Sequence, residues 1–188
     1  MPNLKTLFAV LLCCYTVSSF AVEVGDVMIP NTALVAGQEL GLNGAGLRKK
    51  FFIKVYAAGL YLPEKTGDAK KAINMPGPKR VFMQFIYDDI EAGKITKGWT
   101  EGFEKNNTPE ELVRLQSRLN AFNAFFEDMK AGDRVVIDYL PGRGTQVTVK
   151  GKLKGEIRGD DFMQALLRVW LGNEPADKGL RKGMLGED

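Results

Sequence analysis

The stretch from Leu42 to Leu62 constrains the fold more than any other part of the chain. Glycines at 44 and 46 lead into a long segment rich in Phe, Ile, Val and Tyr. Such residues favour a pleated, half-buried surface, which predicts a β-hairpin. Asn43-Gly44 supplies its turn, because both central residues of a type I′ turn need positive φ. The two arms are then Leu34–Leu42 and Leu47–Leu62. Side chains alternate along a regular strand, so the second arm has two faces. Phe51, Ile53, Val55 and Ala57 form a purely apolar one, the expected main core face. Arg48, Lys50, Phe52, Lys54, Tyr56 and Ala58 form a mixed one, suited to a ligand with an apolar body and an anionic or hydroxyl end.

The remaining pattern predicts a lead-in strand or arm over Val22–Pro30, a short helix from Asp68 and a buried strand over Arg80–Tyr87. The period then changes. Ile95, Trp99 and Phe103 are spaced by four and mark a helix over Lys94–Lys105, closed by Asn106-Asn107. Thr108-Pro109-Glu110-Glu111 is a capping box with Pro at the first helical position. Leu112, Leu115, Leu119, Phe122, Phe126 and Met129 extend that helix from Pro109 to Met129, ending near Gly132. Strands return at Arg134–Leu140, Gln146–Val149 and Leu153–Ile157, with Gly-rich turns between them. Asp160 or Asp161 caps a last helix that carries Phe162, Leu166, Val169 and Trp170 and stops at Gly172. The polar tail has Leu180, Met184 and Leu185 as anchors. This order predicts an α+β fold, an antiparallel β-sheet with helices packed on one face. No linker or repeat divides residues 22–188, which read as one domain.

The first 21 residues read as a signal peptide. Lys5 precedes an apolar core from Leu7 to Val17, and Ser19-Phe20-Ala21 fits the small-x-small cleavage rule. The expected mature chain is secreted, periplasmic and without a transmembrane span. A retained signal anchor is the alternative, although the apolar run is short for a span. Both cysteines, Cys13 and Cys14, fall in the leader, and the chain has no His. The mature chain therefore offers no disulfide, no Cys or His metal ligand and no Ser–His–Asp or Cys–His nucleophile. No metal and no cofactor is expected. Acid–base work would fall to Tyr, Lys, Asp or Glu. Of 26 basic and 23 acidic residues, only Lys5 lies in the leader, which leaves 25 against 23. That balance, without a clustered basic face, argues against a nucleic-acid partner. The 167 residues beyond the leader suffice for one sizeable core.

The run from Gly44 to Pro63, GAGLRKKFFIKVYAAGLYLP, resembles the signature of chalcone isomerase-like proteins of the bacterial secreted branch. The resemblance continues through Lys94–Trp99, Gly132–Arg134, Tyr139–Gly142, Gly144-Thr145 and Ala165–Gly172. It implies an open-faced β-sandwich with a ligand cleft between sheet and helices. It also implies roles for four residues. Arg48 matches an Arg that points into the cleft and that fatty-acid-binding relatives set against a carboxylate. Its planar fork donates two parallel hydrogen bonds. A solvent-facing Arg beside Lys49-Lys50 is the alternative. Tyr56 stands where the enzymes carry Thr and the fatty-acid-binding relatives carry Tyr. A core Tyr bonded to backbone is the alternative. Eight residues of straight strand span roughly 26 Å, so Arg48 and Tyr56 share one head group only if the strand bends or bulges. Trp99 stands where the plant-type enzymes carry Tyr, and Asn106 matches their Asn seven residues on. Indole only donates, whereas a phenol donates and accepts. Core packing of Trp99 and a helix C-cap at Asn106 are the alternatives.

Three functions follow. The first is a non-catalytic binder of a small amphipathic anion such as a fatty acid or a flavonoid-like molecule. The second is an intramolecular lyase of the chalcone–flavanone type, against which the departures at Tyr56 and Trp99 count. The third is a structural or interaction module of the cell envelope. The leader carries its own test: protein recovered from an envelope fraction should begin at Val22 on N-terminal sequencing, and an intact Met1 would remove cleavage from the reading.

Overall fold

The computed structural model describes residues 21–187. The expected leader lies outside the described residues except for Ala21. Nine strands and five helices follow in the order β1 (Ala21–Val24), β2 (Val27–Pro30), β3 (Thr32–Val35), β4 (Gln38–Lys50), β5 (Ile53–Leu62), α1 (Ala69–Asn74), β6 (Lys79–Phe85), α2 (Ala92–Asn106), α3 (Pro109–Asn123), β7 (Arg134–Leu140), β8 (Gly144–Val149), β9 (Lys152–Arg158), α4 (Asp160–Leu171) and α5 (Lys178–Met184). Strands β3 to β9 make a seven-stranded sheet in which every neighbour is also the next strand in sequence, all antiparallel. Strands β1 and β2 pair with each other as a separate hairpin.

Alternation along the strands sorts the two faces of this sheet. One rung reads Leu60, Val81, Ile137, Val147 and faces the helices; the next reads Tyr61, Arg80, Asp138, Gln146, Glu156. On the polar rung Arg80 and Asp138 form a bidentate pair at 2.6 Å, and the Tyr61 hydroxyl donates to Pro30 of β2 at 2.7 Å. The β1–β2 hairpin thus covers part of the second face, over a smaller cluster of Val27, Ile29, Leu40, Leu42, Ala57 and Leu140. The larger core lies between the apolar rungs and the helices. Its centre is an aromatic cluster in which Trp99 stands 5.3–5.5 Å from Phe122, Phe126 and Trp170.

The α+β expectation holds, and several local expectations do not. Asn43-Gly44 is not a turn. The strand runs through it with a bulge, since Leu42 pairs with Tyr61 and Gly44 with Leu60, leaving Asn43 as the extra residue. The buried Asn43 amide donates to the carbonyls of Thr66 and Met184 and accepts from Thr66 N–H. The neighbouring glycines serve close approach. A Cβ on Gly44 would lie 2.2 Å from the Gly183 carbonyl oxygen, and one on Gly46 would lie 3.0 Å from the Leu180 backbone. Helix α5 sits directly on β4 through these positions, with Leu180, Met184 and Leu185 buried as anchors.

The hairpin turn is Phe51-Phe52, between the paired Lys50 and Ile53. Both rings are in solvent, at 88% and 100% exposure, and Ile53 is 46% exposed. The expected core face of Phe51, Ile53, Val55 and Ala57 therefore fails at Phe51 and Ile53, and the buried Val55 and Ala57 belong to different clusters. A second bulge explains why. Arg48 pairs with Tyr56 but Lys49 pairs with Lys54, so Val55 is extra and the alternation slips there. From Tyr56 onward, Tyr56, Ala58, Leu60 and Leu62 belong to the helix-side core, while Ala57 and Tyr61 belong to the other.

Helix α3 ends at Asn123, six residues short of the expected Met129. The chain tightens into i→i+3 bonds at Phe125 and Phe126, then pairs Met129 with Ile90 as an isolated bridge. Phe126 and Met129 stay buried without helical backbone, so the helical spacing of apolar residues outlasts the helix itself. The cap of α4 is Gly159, not an aspartate. Asp161 instead takes a bidentate pair from Arg118 of α3 at 2.7 and 2.8 Å.

The seating of α5 on β4 yields a stability prediction. Gly44→Ala should lower the urea midpoint by the equivalent of about 2 kcal/mol or more, since overpacking against backbone cannot relax by rotamer change. Gly41→Ala, with open space around its Cβ position, should stay within about 0.5 kcal/mol of wild type.

Candidate functional site

The β4–β5 turn settles whether Arg48 and Tyr56 meet. They are direct cross-strand partners, and the guanidinium carbon stands 5.5 Å from the Tyr56 ring centroid. The bulge at Val55 then brings Ile53, Val55 and Tyr56 together onto one cavity of about 210 Å³. Met83 and Phe85 continue this wall on β6. Ile95, Gly98 and Trp99 of α2 form the opposite wall, with Val169 of α4 and Ala176 beyond it. Lys50, Tyr87, Asp89 and Lys94 also line it. Tyr87, at 47% exposure, marks the open side.

The polar lining carries donors on Arg48, Lys50, Tyr56, Lys94 and Trp99, and one carboxylate, Asp89. Trp170 Nε1 donates to the Tyr56 hydroxyl oxygen at 3.0 Å. The phenol therefore accepts from indole and keeps its own proton for another acceptor. Burial pushes the Tyr56 hydroxyl above its ordinary pKa, Arg48 and the Trp170 bond pull it down, and Asp177 adds to the rise. The neutral, proton-donating form is thus held through and beyond neutral pH. Arg48 has no ion pair among the described residues, and its Nε is buried without a partner. Trp99 is 4% exposed, and its Nε1 is also buried without a partner. Arg48, Tyr56 and Trp99 all line the space, and the unpartnered nitrogens of Arg48 and Trp99 are themselves enclosed by protein.

Asn106 is not brought to this cavity. Its amide donates to the carbonyls of Gly102 and Glu174 and accepts from Glu174 N–H, tying the end of α2 to the segment after α4. Trp170, which the sequence marks only as one of the apolar residues of the last helix, is the hydrogen-bond partner of Tyr56. Its role follows from a helix-to-strand bond over 114 residues, which no local pattern marks. Met83 and Phe85 were legible as one parity of a buried strand, without a sign that this parity lines a cavity.

A sequence profile described as chalcone isomerase-like matches residues 21–186. The chain belongs to the chalcone isomerase-like family. Among solved structures, it is similar to a fatty-acid binding protein of Arabidopsis thaliana, with a TM-score of 0.61 and 18% identity over 81% of this chain and 90% of that one. At that identity the likeness is one of fold. No curated protein matches the sequence itself. In this chalcone isomerase-like chain, the cavity opens between the curled sheet and the helices, where the sequence resemblance implied a cleft.

The Trp170–Tyr56 bond makes Tyr56 structural as well as cavity-lining. Tyr56→Phe should destabilise the fold by about 1–3 kcal/mol, because a buried indole N–H loses its acceptor. The Tyr56 contribution is fully present below the ordinary tyrosine pKa of about 10. Above it the unfolded chain releases a proton that the native state retains, so stability falls as pH rises. Urea unfolding from pH 8 to 11 should show that fall in wild type and a shallower one in Tyr56→Phe. Equal slopes would remove Tyr56 as its source.

Proposed function

We propose that this chalcone isomerase-like domain is a non-catalytic binder of a small amphipathic carboxylate, such as a fatty acid, working outside the cytoplasm. The observation that carries the reading is the cross-strand pair of Arg48 and Tyr56 on one cavity wall, where the guanidinium has no ion pair among the described residues and the Tyr56 hydroxyl, accepting from Trp170, keeps its proton for another acceptor. Each buried donor left unpaired costs on the order of 1–3 kcal/mol. An ionised carboxylate only accepts hydrogen bonds, and Arg meets it with a planar fork. The likeness to a fatty-acid binding protein supports the same ligand class. The leader-like first residues support export.

Cavity size bounds the apolar part. About 150 Å³ takes a benzene-sized guest, so 210 Å³ encloses one ring or a chain of similar bulk. A longer acyl chain would leave its far end at the mouth, beside Ile53 and Tyr87. A two-ring chalcone belongs with ligands that occupy about 300 Å³ or more. That mismatch, with Tyr56 and Trp99 at the two departing positions, speaks against cyclisation as the activity.

Calorimetric titration with octanoate, palmitate and methyl octanoate tests this. Octanoate should bind and its methyl ester should not. Arg48→Ala should weaken octanoate about ten- to a hundredfold, the loss of one or two charge-assisted bonds. Arg48→Lys should recover only part, lacking the fork. Equal binding of acid and ester, or wild-type affinity in Arg48→Ala, would give the lead to an envelope scaffold with an unused cleft.

A further inference from the structure

The β4–β5 hairpin extends past the rest of its sheet. β5 pairs with β6 only from Tyr56 onward, and β4 pairs with β3 only up to Gly41. Residues 49–54 are therefore a two-stranded projection. Its tip is Phe51-Phe52, in a two-residue loop where Asn-Gly or Gly-Gly is the ordinary solution. Phe51 has φ +57°, a conformation that aromatic residues rarely adopt. Two adjacent Phe rings stand at 88% and 100% exposure at that strained point, with Ile53 at 46% beside them. Neither solubility nor turn geometry favours such a choice.

The charge around the tip is positive. Lys49, Lys50 and Lys54 flank the rings in sequence. Asp26 pairs with Lys54 at 3.3 Å, and Asp177 accepts from the Lys49 backbone N–H at 3.1 Å. The ammonium groups of Lys49 and Lys50 form no ion pair among the described residues. Lys50 and Ile53 line the cavity as well. Aromatic rings beneath a collar of cations match the boundary of an anionic bilayer, where rings enter the acyl edge and lysines meet the headgroups.

We propose that the Phe51-Phe52 tip docks this protein onto an anionic lipid surface, which sets the cavity mouth against the bilayer. The tip penetrates only as deep as two side chains, and the lysines limit it to the headgroup layer. Binding is reversible and salt-dependent, because two rings and a few charges fall far short of a membrane span. This proposal stands on the tip alone and does not depend on what the cavity takes.

Vesicle sedimentation of the full mature chain tests it, with vesicles of phosphatidylglycerol and phosphatidylcholine in equal parts and of phosphatidylcholine alone. Partitioning should be at least tenfold stronger to the mixed vesicles and should fall steeply as salt rises. Lys49→Glu should cut it severalfold. Phe51→Gly/Phe52→Ser should abolish it while melting no lower than wild type, since the exposed rings hold no core and Gly relieves the positive φ. Phe52→Trp should give a blue shift in emission on adding mixed vesicles. The proposal falls if the double Phe variant partitions like wild type, or if neither vesicle binds. It falls equally if sedimentation equilibrium shows a dimer that the double variant dissolves, because the tip would then be a contact between copies.

Discussion

The pairing of β4 with β5 is the interaction on which the rest depends. It is the longest ladder in the sheet, and its two bulges decide what each side chain meets. The bulge at Asn43 sends a buried amide toward α5 and the loop after β5. The bulge at Val55 shifts the alternation so that Val55 and Tyr56 both reach the cavity. Between them, Arg48 and Tyr56 face each other across the ladder. A one-residue slip of register would exchange the faces and leave neither the cavity wall nor the seat for α5.

The aromatic cluster ties this ladder to the helices. Trp170 packs edge-on to Trp99 at 5.3 Å and donates to Tyr56, so α4 bridges the α2 wall and the sheet wall. Among the residues that line the cavity, Tyr56 accepts from Trp170, while Arg48 Nε and Trp99 Nε1 stay buried without partners. A folded protein whose sole task was stability would pair or replace such donors. Keeping them is the familiar exchange of stability for readiness to bind.

The sheet-and-helix order was legible because each element carries its own period. Val81, Met83 and Phe85 alternate, and Ile95, Trp99 and Phe103 repeat every four residues. The hairpin turn was misplaced because Asn43-Gly44 has ideal turn chemistry while Phe51-Phe52 has almost none. Tertiary demand overrode local preference at both: α5 needs the glycines for its approach, and the tip carries aromatic rings despite its backbone. Arg48, Tyr56 and Trp99 were legible as candidates through motif resemblance. Their meeting was not, since it depends on a turn and a bulge that leave no periodic trace. Asn106 matched the spacing and still lies elsewhere, tied to Glu174, because seven residues on a helix carry a side chain two turns away from the cavity.

The contact between Asn43 and Met184 also says something about order in time. Every strand of the main sheet pairs with its sequence neighbour, so most of the ladder can close locally as the chain becomes available. Asn43 must wait for a carbonyl 141 residues further on. Until the last helix arrives, the Asn43 amide has only its two bonds to Thr66, and Gly44 and Gly46 are uncovered. The strand that carries Arg48 is therefore among the first segments to be synthesised and among the last to be covered. A chain shortened by its final helix would keep every strand pairing of the sheet and leave Gly44 and Gly46 bare to solvent.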